Sequence, residues 1–386
     1  MEHRPRRGRP LGRPGLQDYR GMREERRLST RAIAWVVPLF ALVVLACGGS
    51  GEPAPTATLP APTPQASVAV SATSAPDRVV TIAAVGDVML ARDLVTLMDQ
   101  HGALYPFERV AHLLRAADLT VANLETAFTE RGVAADKLYT FRTPPRFAGG
   151  LAEAGIDIVS LGNNHTADFG PEGIEDTLAA LDGVGIRYAG AGDDEAAARR
   201  PAFVEAEGLR VAFLSYTDVL ENTFAGTDAP GVAFAAEEAI AADVASARAQ
   251  ADVVVVLFHF GVEYTDAPQP DQQRLARAAV DAGALLVLGH HPHTLQGWEW
   301  YGGGLIVYSL GNFVFDLDED DLANLGPRAF QSVVLFVTLS DDEVLDVRAE
   351  PVVIDELENR PRPADVEEAA GIRERIESLN DIAGGP

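Results

Sequence analysis

One cysteine, Cys47, and one lysine, Lys137, occur in the 386 residues of this chain, and each scarcity excludes something. A lone thiol cannot close an intramolecular disulfide, so no covalent framework holds the fold together. With 57 acidic residues against 31 basic ones the formal charge is −26, a surface that repels the nucleic-acid backbone, and no nucleic-acid partner is expected. Long hydrophobic runs are missing too. The longest, AIAWVVPLFALVVLA at residues 32–46, has 15 residues, whereas a membrane-spanning helix needs about 20. What is present is a 47% hydrophobic composition over a length that suits one large or two modest domains, the signature of a globular protein with attached ends.

The apolar run follows an arginine-rich stretch and stops at Cys47, the order of a signal peptide's charged and hydrophobic regions. Val44-Leu45-Ala46-Cys47 resembles the lipobox of bacterial lipoproteins, which implies cleavage before Cys47 and lipidation of its thiol; an uncleaved single-pass anchor is the alternative. Met22 offers a more ordinary signal start than Met1. Residues 48–76 are rich in Pro, Ala, Ser and Thr with one charge, a composition that cannot bury enough surface to offset its ordering entropy, and they read as a disordered tether. The first 47 residues hold ten arginines against four acids, a surplus of six, so the chain beyond them carries −32 rather than −26.

From residue 77 to 356 short Val/Ile-rich runs alternate with amphipathic stretches. Val79–Val85, Leu119–Ala122, Ile156–Ser160, Leu209–Ser215, Val253–Phe258, Ala284–Leu288 and Leu305–Tyr308 read as strands; Phe107–Ala117, Pro171–Leu181 and Pro270–Ala282 read as helices. Gly183 is the expected stop of the second helix. Strands alternating with helices predict an α/β fold whose sheets are covered by helices. Ser332–Leu339 and Glu343–Val353 flank Asp341-Asp342 as a C-terminal edge hairpin, and residues 357–386 form a charged tail in which residues 359–386 read as a loosely attached helix.

The polar residues gather just after the strands. Asp87 follows the first, Glu125 the second, and the third runs into LGNNHTADFG at 161–170, which reads either as a site or as a polar turn. His259 ends the fifth strand, and His290, His291 and His293 follow the sixth, so five of the eight histidines lie at carboxyl ends of strands. Carboxylate, amide and imidazole donors from separate loops make a shell for a divalent transition metal. In an extended His291-Pro292-His293 segment the two rings point the same way, and His290 points the other.

The ordered motifs GDVML, NLE, NNHTAD, HFGVEY, GHHPHTLQ and SLGNFVFD, from Val79 to Asp316, resemble those of the CapA family of poly-γ-glutamate capsule biosynthesis proteins. The resemblance implies a metallophosphatase-like layered sandwich of mixed β-sheets flanked by helices, at the extracytoplasmic face of a bacterial membrane. It implies metal ligation by Asp87, Glu125, Asn164, His259, His291 and His293, with one or two Mn, Zn or Fe ions. His165 is the implied general acid, with a structural role beside Asp168 as the alternative. Two departures stand out: Met89 occupies the position of a ligand histidine, and Glu125 replaces the usual aspartate. Arg142 reads as a clamp for a substrate carboxylate or as a solvated loop arginine. The expected function is a metal-dependent hydrolase or transferase on a γ-glutamyl polymer or surface peptide, against a phosphoesterase or a non-catalytic component that guides or anchors the polymer. The membrane partner is reached through lipid or an N-terminal anchor. Since a domain near −32 repels a polyanion, a polyanionic substrate needs metal or arginine to make the cleft locally positive.

Overall fold

A computed structural model describes residues 78–220 and 223–383. Cys47, the apolar run before it and the 48–76 segment lie outside the described residues. The first strand, β1 (Val80–Val88), is buried along its length, and its side chains divide between two cores. Val80, Ile82 and Ala84 enter one between the sheets, while Ala83 and Val85 enter another beneath helices. A strand covered on both faces is apolar at most positions, which is why the sequence here shows a run, broken by Thr81, rather than an alternation.

Parallel strands β2 (Leu119–Leu124), β3 (Ile158–Ser160) and β4 (Arg187–Ala189) continue the sheet on one side of β1. The chain then builds a second sheet from β5 (Ala202–Ala206), β6 (Leu209–Thr217), β7 (Val253–His259), β8 (Leu286–His290), β9 (Trp298–Tyr301) and β10 (Gly304–Val307), in the order β9-β10-β8-β7-β6-β5. It returns to the first sheet with β11 (Asn312–Val314), β12 (Gln331–Leu339), β13 (Val344–Asp355) and β14 (Arg360–Pro363). That sheet is ordered β14-β13-β12-β1-β2-β3-β4, with β11 also beside β1. β1 changes neighbour midway: Val80–Ala84 pair antiparallel with β12, then Asp87 and Val88 pair parallel with β11. Gly86 sits at the changeover, where a Cβ would lie 1.9 Å from the Gly311 carbonyl oxygen, so a side chain is sterically barred.

Helices α1 (Asp93–His101), α2 (Ala111–Leu114), α3 (Gly149–Ala154) and α4 (Gly170–Val184) cover the outer face of the first sheet through Leu94, Leu114, Leu151 and Leu181. After the short α5 (Glu195–Ala198), helices α6 (Glu237–Arg248) and α7 (Pro270–Asp281) cover the second sheet through Ile240, Val244 and Leu275. In β7, Val253, Val255 and Leu257 face the central core while Val254, Val256 and Phe258 face the helices. The α/β class, with mixed sheets flanked by helices, is therefore as expected.

Three local expectations are corrected. The helix expected over Phe107–Ala117 shrinks to α2, because Thr120 Oγ1 donates to the Leu114 carbonyl at 2.7 Å and the chain turns at once into β2. α4 passes Gly183 and stops at Gly185, whose φ of 78° provides the left-handed exit. The C-terminal helix is present as expected but is not loosely attached. After the short α8 (Glu319–Leu325), and one further antiparallel strand, β14, beyond the hairpin, α9 (Val366–Ala383) inserts Ile372, Ile376 and Leu379 into the core between the sheets. Their i, i+4, i+7 spacing makes one apolar stripe, and the charged residues that dominate the composition lie on the rest of the helix.

Candidate metal centre

Both sheets end their central strands at the same place. Asp87 closes β1 opposite Asn123 in β2 and Asn312 in β11, while His259 and His290 are register partners at the ends of β7 and β8. Residues as far apart in sequence as Asp87 and Asn312 thus meet at one sheet edge, in a crevice of the kind where α/β folds bind ligands.

Asp87, Glu125 and His293 form one group in which a ligand atom from each lies within 4.8 Å of the others. His293 Nδ1 stands 2.9 Å from Asn312 Oδ1 and 3.3 Å from Asp87 Oδ2. With its Nδ1 hydrogen given to Asn312, the ring presents Nε2 to Glu125 Oε1 at 3.7 Å. His259 Nε2 approaches the same oxygen at 3.9 Å and His165 Nε2 at 3.8 Å, so Glu125 is the point on which three rings converge. Asn123 Nδ2 donates to Asp87 Oδ1 at 2.8 Å and lies 3.2 Å from His259 Nδ1, holding both in place.

The electrostatics are those of a cation site. Burial, followed by the Asp87 charge, pushes the Glu125 carboxyl well above its usual range. Burial opposes charge on His293, yet Glu125 and Asp87 together raise its pKa well above the ordinary histidine value. Asp87 is shifted down, its burial outweighed by the charge of His293 and by the Asn123 hydrogen bond. Burial depresses His259, and it depresses His291 to about 3, leaving neutral rings fit to ligate.

The fit to a metal rests on orphaned atoms. Asp87 Oδ2, both Glu125 oxygens, Asn164 Oδ1, His259 Nε2 and His291 Nδ1 are buried without a hydrogen-bond partner among the described residues. Buried polar atoms are almost always paired, and here carboxylate, amide and imidazole acceptors are unpaired together. A divalent ion is the ligand that would satisfy that set.

LGNNHTADFG is both turn and site. Asn163 Oδ1 accepts the backbone N–H groups of His165 and Thr166, each at 3.0 Å, which builds the turn. His165 Nδ1 donates to Asp168 Oδ2 at 2.7 Å, so its Nε2 faces the centre, and the ring stacks on Phe141 with centroids 4.0 Å apart. Burial pushes the His165 pKa down to about 4. On the far side of Asp168, the ammonium of Lys137 stands 2.5 Å from Oδ1 and donates to the Asn164 carbonyl at 2.5 Å.

Of the six expected metal donors, the structure groups Asp87, Glu125, His259, His291 and His293, by a different route at His291 and His293, while Asn164 leaves its Oδ1 buried and unpaired next to His165 in the chain. Their φ values are 96° and 54°, so the His-Pro-His segment is a pair of left-handed residues rather than an extended strand. His290 does point away, its Nε2 donating to the Val85 carbonyl at 3.2 Å. Arg142 is engaged elsewhere: it donates to the carbonyls of Arg131 and Gly132, and its guanidinium lies 3.7 Å from the Phe169 ring centroid. Sequence reasoning passed over Asn123, Asn163, Asn312 and Lys137 as site residues. The uniqueness of Lys137 was a usable signal; the asparagines had none beyond their place after strands.

Residues 81–317 match the family described as bacterial capsule synthesis protein PGA_cap. The capsule biosynthesis protein CapA of Bacillus anthracis is 34% identical over 245 residues, covering 61% of this chain and 60% of that protein. The PGA biosynthesis protein CapA of Bacillus subtilis (strain 168) is 36% identical over 244 residues, covering 62% and 64%. The match thus spans less than two thirds of the length of either relative. Among solved structures, a novel phosphatase from Mycoplasma pneumoniae aligns with a TM-score of 0.48 at 12% identity, covering 73% of this chain and 96% of that one.

Proposed function

Because this chain belongs to the bacterial capsule synthesis protein PGA_cap family, we propose that it is a metal-dependent hydrolase or transferase acting on a γ-glutamyl polymer or related surface peptide, held at the extracytoplasmic face of a bacterial membrane. The observation that carries the reading is the meeting of Asp87, Glu125 and His293 in one buried group, with unpaired nitrogens of His259 and His291 beside it. Imidazoles in the set favour manganese, zinc or iron over magnesium, with one or two ions bound.

When bound, the ion supplies Lewis acidity and makes water a usable nucleophile near neutral pH. The chain's own residues do the rest. Glu125 and Asp87 fix charge at the floor of the site, and Asn123 and Asn312 keep His259, Asp87 and His293 in register. His165, neutral and held through Nδ1 by Asp168, offers Nε2 as the atom that takes the proton given up by the attacking water and passes it to the leaving group. Phe141 against its ring excludes water from that face. Since most of the chain's charge is acidic, the polyanion reading depends on the ion to make this crevice locally positive.

The test is turnover by the full-length protein loaded with Mn2+ or Zn2+, offered γ-glutamyl peptides and phosphodiesters in parallel. Release of amine from the peptides, abolished by chelator, is expected. Cleavage of phosphodiesters alone makes it a phosphoesterase, and turnover of neither leaves a polymer-guiding component. The anchoring half of the proposal rests on Val44–Cys47: Cys47→Ser should block lipidation, and mass spectrometry finding residues 1–47 intact in the native protein would replace the lipoprotein with a single-pass anchor.

A further inference from the structure

The site has a gap on one side and an unused carboxylate on another. At the position where the family resemblance calls for a histidine, Met89 is fully buried among Phe141, Phe315 and Ile354. Its sulfur accepts the Ala91 backbone N–H at 3.2 Å, so the thioether is not turned toward the ion as a substitute.

Across the crevice stands Glu263. One of its carboxylate oxygens lies within 4.8 Å of a ring nitrogen of both His291 and His293, and it forms no ion pair or hydrogen bond with a group among the described residues. Beside it, His291 Nδ1 has no partner although the residue is only 6% exposed. The loop that carries Glu263 is braced for this placement. Phe260 N–H donates to the His290 carbonyl at 3.0 Å and Tyr264 N–H to the Pro292 carbonyl at 2.8 Å, strapping the loop along the histidine turn. Gly261 has φ 97°, and a Cβ there would lie 2.4 Å from the amide carbon of Gln272, which is itself buried and tied to Gln296. Tyr264 has φ 64°, a left-handed conformation unfavourable for a bulky residue. Such strain persists where the surroundings over-determine it, and it clusters at functional sites.

We propose that Glu263 is a metal ligand, joining His291 and His293, and that it supplies from the β7 side the donor that Met89 withholds on the β1 side. The ligand class is a divalent transition-metal ion, and the proposal rests on the metal-dependent reading above. An oxygen donor in place of an imidazole also shifts the set toward harder ions, manganese before zinc.

The test is calorimetric titration of full-length protein with Mn2+, backed by elemental analysis, for wild type, Glu263→Gln and Glu263→Ala. Glu263 is exposed, so both variants should keep the wild-type thermal midpoint in chelator. The expected result is one ion fewer per chain, or an apparent Kd raised at least tenfold, in both variants. Wild-type stoichiometry with a smaller change in Kd in either variant overturns the ligand assignment and leaves the metal reading standing. A wild-type protein that takes up no Mn2+ overturns both.

Discussion

Lys137, the chain's only lysine, places its ammonium nitrogen 2.5 Å from Oδ1 of Asp168, a carboxylate sealed from solvent, whose other oxygen accepts from His165 Nδ1 at 2.7 Å. The lysine sits on the loop leading to Phe141, and Phe141 N–H also donates to Asp168 Oδ2 at 2.6 Å, so one buried carboxylate ties two loops and a histidine together. Removing one partner of a buried pair leaves an uncompensated charge. Lys137→Met should lower folding stability by about 3 kcal/mol, read by denaturant unfolding. A loss under about 1 kcal/mol would mean that Asp168 finds another partner or reaches water.

Acid should weaken the fold through the depressed histidines. His165 titrates near 4 in the folded protein, mainly because it is buried, and at its ordinary value of 6.5 when unfolded. The unfolded state therefore takes up the proton first, so this contribution is complete above pH 6.5 and is lost as pH falls toward 4. His291, near 3 when folded, acts in the same direction, while His293, shifted up, acts oppositely. In excess chelator, the thermal midpoint should fall between pH 6.5 and 4, and His165→Gln should flatten that slope. An unchanged slope in the variant would show that His165 is not held neutral.

His290 and His293 should separate cleanly. His293→Ala or Asp87→Ala should reduce bound metal, measured by elemental analysis, together with any hydrolysis. His290→Ala removes the donor to the buried Val85 carbonyl and should cost about 2 kcal/mol of stability at unchanged metal content. Metal loss in His290→Ala without unfolding would make it a ligand after all.

The last helix should be required for folding. Ile372 is 1% exposed in the core between the sheets, and Ile372→Ala should cost about 3 kcal/mol in thermal or denaturant unfolding. Truncation before Val366 should abolish the cooperative transition; a truncated protein that still unfolds cooperatively would return α9 to the status of a tail.

The sequence by itself determined the strands of the central sheets, because a segment buried on both faces must be apolar almost throughout, as Val253–Phe258 is entirely and Val80–Val85 is but for Thr81. It also placed Asp87, Glu125, His259, His291 and His293 at the ends of such runs, where strands of the two sheets finish together. Only the tertiary structure decided how they meet. The left-handed turns at His291 and His293 depend on the crowding of Tyr264 and Asn312 around them, and a backbone conformation imposed by distant contacts leaves no periodicity to read. The same holds for the seating of α9, whose charge count suggested a loosely attached helix. Ile372, Ile376 and Leu379 seat it in the core between the sheets, and the residues they meet there come together only when the sheets pack. Arg142 was legible as a cation but not as one committed to two carbonyls and Phe169, for those partners come together only when the loop folds.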